Sequence, residues 1–389
     1  MNTWSGKQVA PAQMKVSGGF SLMDDVAIIG FGLIGCGRVA RYHAEALRYI
    51  PGVELRAVCD IIPERTQDFA ARYGADSYSD YRYLLERKDI DVVCIATPSG
   101  DHPRIGIDAA CAGKHVVVEK PIGLMLREID ALVDTCRAER VKLCVVHQNR
   151  FNPAVVKLRE ALEAGRFGRL SHAAVAVRWN RGADYYTQAP WRGTWEQDGG
   201  VLMNQSIHAV DIFRWMMGDP DAVFAFAATR LHRIQAEDVA AVTVRFHSGA
   251  VGLIEASNNV YPSNWEETLT LFGDRGSAAL GGVALNRIER WEFADATDRH
   301  ALDLEAELAS QPDPTSVYGN GHGRLLAAMA DAIRRDGSPP VSGEEGRAAV
   351  ELVLAVYRSQ EEVQAVQFPL WEESERIARA RLEGMRLHG

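Results

Sequence analysis

Cysteine is sparse and scattered in this 389-residue chain: Cys36, Cys59, Cys94, Cys111, Cys136 and Cys144, with no C-x-x-C pair. That spacing argues against a zinc knuckle and a disulfide framework, and points to a reduced, cytoplasmic protein whose thiols pack as small hydrophobes. No stretch approaches the ~20 apolar residues of a membrane-spanning helix. The first 22 residues lack the apolar segment of a signal peptide and read as a flexible extension. Positive charge is in deficit, with 43 Lys and Arg against 52 Asp and Glu, so no basic stripe marks a nucleic-acid partner. The net charge of −9 still allows an anionic small ligand, because local arginines override the global sign. Internal repeats and low-complexity tracts are also missing, which excludes solenoids.

What is present follows two rhythms, and the length implies about two to three domains. Up to residue 150, β-branched runs alternate with helical patterns: "VAIIGFGLI", "VELRAVC", "IDVVCIATP", "HVVVEKP" and "VKLCVVH". Several are apolar on both faces, as strands of a doubly wound parallel sheet must be. From residue 151 the pattern is a helix, a strand, a polar and aromatic loop over 181–198, and one amphipathic helix over about 199–217. Consecutive strand-like segments with short turns follow, so the second domain reads as α+β with a mostly antiparallel sheet. Helices over about 322–336 and 344–362 close it. The expected organisation is an extension over 1–22, a Rossmann α/β domain over 23–150, an α+β domain over 151–370 and a charged C-terminal helix over 371–389.

The stretch "VAIIGFGLIGCGRVARYHAEAL" holds two overlapping glycine triplets, one starting at Gly30 and one at Gly35. A dinucleotide site needs a strand, a tight glycine turn and a helix whose N-terminus meets the pyrophosphate. Starting at Gly30 would put Gly35 and Gly37 inside the helix, at a cost of roughly 1 kcal/mol each. Starting at Gly35 leaves an uninterrupted helix, with Ala40 in the third position. Asp60, ending the next strand, then lies 25 residues after Gly35, where an acid can meet a ribose. Its charge would repel a 2′-phosphate, so NAD is favoured over NADP.

Lys120, in Glu119-Lys120-Pro121, closes the strand "HVVVEK" at the edge that borders a cofactor crevice. In "GGVLMNQSIHAVDIFRWMMG", Met203, Ile207, Val210, Phe213 and Met217 form a core stripe, and Asn204, His208 and Asp211 line another face. No second His or Cys joins that face, so no metal is expected there.

"GCGRVARYHAEAL", "AGKHVVVEKP", "HQNRFNPAV" and "GGVLMNQSIHAVDIFRWMMG", in this order, resemble the glucose–fructose oxidoreductase/inositol dehydrogenase (Gfo/Idh/MocA) family over about residues 25–370. The resemblance implies a Rossmann domain followed by an open antiparallel sheet that carries substrate and oligomer contacts. It also implies NAD-linked chemistry on a sugar or cyclitol, with Lys120 and His208 catalytic. Asn204 replaces the aspartate of the inositol-dehydrogenase-like pattern, which removes a carboxylate–histidine relay there. With "HQNRFNP" and "YYTQAPWRGTWEQDGG", it is more similar to the UDP-N-acetylglucosaminuronate 3-dehydrogenase type.

The activity expected is reversible oxidation of a secondary pyranose hydroxyl, at C3 of a nucleotide-linked or otherwise anionic sugar. His208 is the expected base, and Lys120 polarises the developing alkoxide or serves as base itself. Asn204 and Asp211 would orient the sugar or His208, and Gln148, Asn149 and Arg150 would meet the nicotinamide ribose or sugar. Tyr186, Trp191 and Arg192 are the substrate-loop candidates. Expected cofactor contacts are Gly35, Gly37, Arg38, Val39, Asp60, Thr97, Pro98, His102, Glu119, Lys120 and Gln148. A homodimer or homotetramer, with neither nucleic acid nor membrane as partner, completes the expectation. An inositol or free-sugar dehydrogenase and a keto-sugar reductase stay open within the class. A non-catalytic NAD-binding sensor is the rival outside it, opposed by the presence of both Lys120 and His208.

Overall fold

The computed structural model describes residues 27–294, 319 and 321–371. The expected N-terminal extension and residues 372–389 of the expected C-terminal helix lie outside that range. The first domain runs β1 (Ile29–Ile34), α1 (Ala40–Leu47), β2 (Val53–Cys59), α2 (Pro63–Tyr73), β3 (Asp76–Tyr78), α3 (Tyr81–Leu85), β4 (Val92–Ile95), α4 (His102–Cys111), β5 (His115–Val118), α5 (Leu126–Ala138) and β6 (Leu143–Val145). All six strands are parallel, in the order β3-β2-β1-β4-β5-β6. Strands β1, β4 and β6 are buried along their whole length, which is why their sequences do not alternate. The order reverses between β1 and β4, and the crevice for a ligand opens there, beyond the strands' carboxyl ends.

The second domain begins with α6 (Pro153–Glu163) and β7 (Leu170–Arg178), followed by a short helix α7 (Ala183–Thr187) and the long α8 (Ile207–Met217). Then come β8 (Pro220–Ala228), β9 (Val239–Phe246), β10 (Val251–Ser257), β11 (Glu266–Gly273), β12 (Gly276–Gly281) and β13 (Arg287–Phe293). Helices α9 (His322–Arg334) and α10 (Gly343–Glu362) and strand β14 (Val366–Gln367) complete it. The eight-stranded sheet has the order β13-β12-β11-β7-β10-β9-β8-β14 and is antiparallel apart from the β7–β10 pair. In β9 and β10 buried and exposed residues alternate strictly, so one face takes helices α8 and α10 and the other is left open.

The C-terminal segment ties the two domains together. Helix α9 packs on α1, and α10 packs on α5 and β6. Val145 donates its N–H to Val341 at 3.0 Å beside a Ser342 bridge to Cys144. Ser342 and Glu345 form a complete capping box at the start of α10.

Two features depart from the sequence reading. Strands β3, β13 and β14 were not anticipated; they are short or edge elements. The helix expected over 199–217 is broken: Val201–Gln205 winds as a wide π turn before α8 starts at Ile207. Glu237 caps this turn: its backbone carbonyl accepts from Val201 N at 2.9 Å and its carboxylate accepts from Leu202 N at 2.9 Å. Such turns add a residue to the winding and often occur at functional sites.

Candidate active site

At the crevice, β1 runs through Gly30 and Gly32 and ends at Ile34, and α1 starts at Ala40. A Cβ on Gly30 would sit 1.9 Å from the Asp89 carbonyl, and one on Gly32 would sit 2.7 Å from Leu84 Cδ2, so both glycines are required by packing. Gly35 turns with φ +93°, and its N–H donates to Cys59 O at 2.8 Å. A Cβ on Gly37 would meet nothing within 4 Å. The Asp60 carboxylate accepts from Cys36 N and Ile62 N, each at 2.8 Å, and so holds the turn to the end of β2. The N-terminus of α1 has no side-chain cap. A bare glycine surface, an uncapped helix start and an acid at the next strand end are the parts a dinucleotide needs, so these residues fit NAD.

The ends of β4 and β5 form the floor beside this turn. His102 lies between the Thr97 carbonyl (3.0 Å, Nε2) and the Pro121 carbonyl (2.8 Å, Nδ1), linking Thr97-Pro98 to the Lys120-Pro121 corner. Glu119 is buried, with Oε1 2.8 Å from His43 Nε2 on α1 and 3.8 Å from His322 Nε2 on α9. Burial works against ionisation of Glu119, but the adjacent imidazoles of His322 and His43 overcome it and hold the carboxyl well below its usual range. These three are the one set of potential metal ligands that converges among the described residues. The 2.8 Å separation is that of a hydrogen bond, and the set reads as a clasp between α1, β5 and α9. Glu119 therefore has a scaffold role that the sequence reading, which treated it as a cofactor contact, did not foresee.

Lys120 is half-buried and reaches into the second domain, where its Nζ donates to the Asn204 carbonyl at 2.9 Å. Burial lowers its pKa from the usual lysine value; Glu119 and Asp198 oppose the shift and Arg181 adds to it. His208, at the start of α8, is buried. Its Nε2 lies 3.3 Å from the Gln148 side-chain nitrogen, its ring meets His147 edge-on at 5.6 Å, and its Nδ1 has no hydrogen-bond partner among the described residues. Burial first, then the charges of Lys120 and His147, hold His208 well below its ordinary value, so the imidazole is neutral.

Asn204, His208 and Asp211 do not act on one another as their spacing suggested. The π turn rotates Asn204 away, and its amide donates to Asp198. Asp211 accepts two hydrogen bonds from Arg150, both at 2.7 Å, and lies 3.6 Å from His147 Nδ1. Burial opposes ionisation of Asp211, but Arg150 and then His147 more than offset it and lower its pKa. Arg150 also pairs with Glu345 and stacks 4.8 Å over Trp215. The Arg150–Asp211 pair thus braces α8 against the end of the Rossmann sheet, where the sequence reading had expected ribose or sugar contacts.

Loop 181–198 forms the outer wall. Tyr185 lies between two guanidiniums, Arg192 at 4.1 Å and Arg181 at 5.5 Å from its ring centre, and its hydroxyl accepts from Gln205 Nε2 at 3.2 Å. The Tyr186 hydroxyl accepts from Asn258 Nδ2 at 3.0 Å, and its ring packs 5.0 Å from His232. Arg192 covers Trp191 at 5.6 Å and donates to the Tyr185 carbonyl at 2.6 Å. Of the three loop candidates, Tyr186 and Arg192 join this polar, aromatic wall and Trp191 supports it. Arg181, Tyr185, Gln205, Asn258 and Asp198 were missed; only "WEQDGG" and "EASNN", polar ends of otherwise regular segments, hinted at the last two.

A parallel sheet with a bare glycine turn, joined to an open antiparallel sheet across a polar crevice, defines a two-domain dehydrogenase architecture, and comparison with known proteins identifies it. Residues 29–147 match the oxidoreductase family with an NAD-binding Rossmann fold, and residues 155–279 match the GFO/IDH/MocA C-terminal domain. The crystal structure of the WlbA dehydrogenase from Bordetella pertussis, in complex with NADH and UDP-GlcNAcA, is 38% identical with a TM-score of 0.84, covering 90% of this chain and 99% of that one. Myo-inositol 2-dehydrogenase of Thermotoga maritima is 28% identical over 86% of this chain and 97% of its own length. Levoglucosan dehydrogenase of Pseudarthrobacter phenanthrenivorans is 27% identical over 76% of this chain and 82% of its own. The chain belongs to the Gfo/Idh/MocA family of NAD-dependent oxidoreductases, whose members here act on sugars and polyols. None of its described helices is long and apolar enough to cross a membrane.

Proposed function

We propose that this protein interconverts a secondary hydroxyl and a ketone at C3 of a nucleotide-linked, anionic pyranose. The observation that carries the reading is the meeting of Lys120, from the Rossmann domain, with the segment that holds His208: the Lys120 ammonium lies 2.9 Å from the Asn204 carbonyl. Bound NAD supplies the acceptor for the hydrogen and electron pair leaving carbon. Gly35, Gly37, Arg38 and Val39 would hold its pyrophosphate at the start of α1, Asp60 its ribose, and Thr97, Pro98, Lys120 and Gln148 its nicotinamide end. His208, neutral and buried, accepts the hydroxyl proton. Lys120 donates a hydrogen bond to the oxygen as negative charge develops on it, where a desolvated ammonium is most effective. Arg181 and Arg192, stacked about Tyr185, present cationic and aromatic surface suited to a charged sugar.

The similarity to a protein solved with UDP-GlcNAcA supports a nucleotide-sugar substrate. The inositol and levoglucosan dehydrogenases among the relatives support a free polyol as the second reading. A panel of UDP-sugars, free sugars and inositols, followed by NADH formation, separates them: turnover confined to UDP-uronates supports the proposal, and turnover confined to free polyols overturns it. We also propose a homodimer or homotetramer built on the open face of the large sheet. Phe226 on β8, Val251 and Leu253 on β10 and Phe272 on β11 are exposed there, apolar side chains that a monomer would leave wet. Light scattering that gives a monomer mass would contradict it.

A further inference from the structure

We infer that Asp198 is the positioning residue for Lys120, acting through Asn204. Asp198 is 1% exposed, and both of its oxygens are engaged. Oδ2 accepts from Gly193 N at 2.6 Å, and Oδ1 accepts from the Asn204 amide. Asn204 in turn presents its backbone carbonyl to Lys120 Nζ at 2.9 Å. The carboxylate thus anchors the residue that holds the lysine, across two hydrogen bonds and three segments of the chain. The Asn204 side chain is an amide without charge, so Asp198 supplies the negative charge on the second-domain side of the lysine.

The surroundings of Lys120 make that charge consequential. Facing it are Glu119 from its own strand end, Arg181 and Asp198 from the loop after β7, His208 from α8 and His147 from the end of β6. Glu119 already accepts from His43, so Asp198 is the carboxylate not tied to another ionisable side chain. Burial pushes Asp198 itself up to about 6, while the hydrogen bonds from Gly193 and Asn204 and the charge of Lys120 pull the other way and favour its carboxylate form. With it in place the ammonium keeps its charge and its direction; without it, a desolvated lysine loses its proton more readily.

The inference rests on the catalytic role proposed for Lys120, but its test does not need a substrate. In the full chain, competitive acetic anhydride labelling across pH, read by mass spectrometry on the Lys120 peptide, reports when that amine loses its proton. Asp198→Asn is expected to move the Lys120 titration to lower pH by about one unit. The limb of the kcat/KM profile that belongs to Lys120 should move the same way, kcat should fall about tenfold or more, and NADH affinity should stay within about twofold. A merely structural carboxylate would lower thermal stability and leave the titration unmoved, which would overturn the inference. Asn204→Ala provides a second route if Asp198→Asn does not fold: it cuts the anchor and leaves both charges. It should lower kcat and shift the Lys120 titration in the same direction, and a wild-type kcat with an unmoved titration would also overturn the inference. A wild-type enzyme that turns over no sugar would sink the proposed function and leave the labelling result standing.

Discussion

Substituting Gly37 by Val separates the two glycine frames by separating folding from cofactor binding. A Cβ at Gly37 meets no protein atom within 4 Å, so the side chain enters open space and the apo fold should keep its melting temperature within about 2 °C. That open space is where the backbone must come close to the pyrophosphate. Losing two charge-assisted hydrogen bonds at about 1.5–3 kcal/mol each removes roughly 3–6 kcal/mol, a loss of about 10²–10⁴ in NADH affinity. Gly32→Ala is the counterpart: its Cβ would lie 2.7 Å from Leu84 Cδ2 and 3.3 Å from Ile90 Cδ1 in a closed core. Overpacking of that kind costs about 1–3 kcal/mol of stability and should leave NADH affinity within about twofold. Calorimetric NADH titration and differential scanning fluorimetry on both variants give the answer. Normal NADH binding by Gly37→Val, with binding abolished in folded Gly32→Ala, would refute the assignment of the phosphate turn.

Three further outcomes are expected. Lys120→Ala and His208→Ala should each lower kcat by about 10²–10⁴ while NADH binding by fluorescence stays close to wild type; near-normal rates in both would remove them from the chemistry. Asp211→Ala leaves Arg150 buried beside Glu345 alone and should cost about 3–5 kcal/mol in urea unfolding, and Asp211→Asn, which keeps one acceptor, should cost less. Glu267 is 2% exposed, and burial alone pushes its carboxyl up to about 8. Folded protein therefore retains a proton that the unfolded chain releases, and stability falls as pH rises from about 4.5 to 8. The stability gained by Glu267→Gln should grow across that window and then level off, and a pH-independent difference would contradict the burial argument.

How much of this was legible in the sequence depended on where each partner lay. Strands β2, β4 and β5 were readable because buried β-branched runs such as "VVCI" and "HVVV" have few other uses. Strand β3, "DSY", and strand β13, "RIERWEF", carry no such pattern, since one is short and the other is a partly exposed edge. Lys120 stood out because it closes a recognisable strand, and His208 because it sits on a polar stripe of an otherwise apolar helix. The roles of Arg150 and Asp198 did not, because they are set by Asp211 and by the Asn204 carbonyl–Lys120 contact, groups brought near only by the fold. The cap of the π turn was hidden for the same reason: it comes from Glu237, 35 residues after Leu202.

The most direct test of the central claim uses UDP-GlcNAcA carrying deuterium at C3, incubated with the protein and NAD. The account predicts deuterium in the NADH recovered by mass spectrometry and a matching 3-keto sugar, with both signals lost in Lys120→Ala and His208→Ala. Unlabelled NADH formed alongside an oxidised sugar, or no NADH from this substrate in a protein that binds NAD and oxidises free polyols, would contradict it.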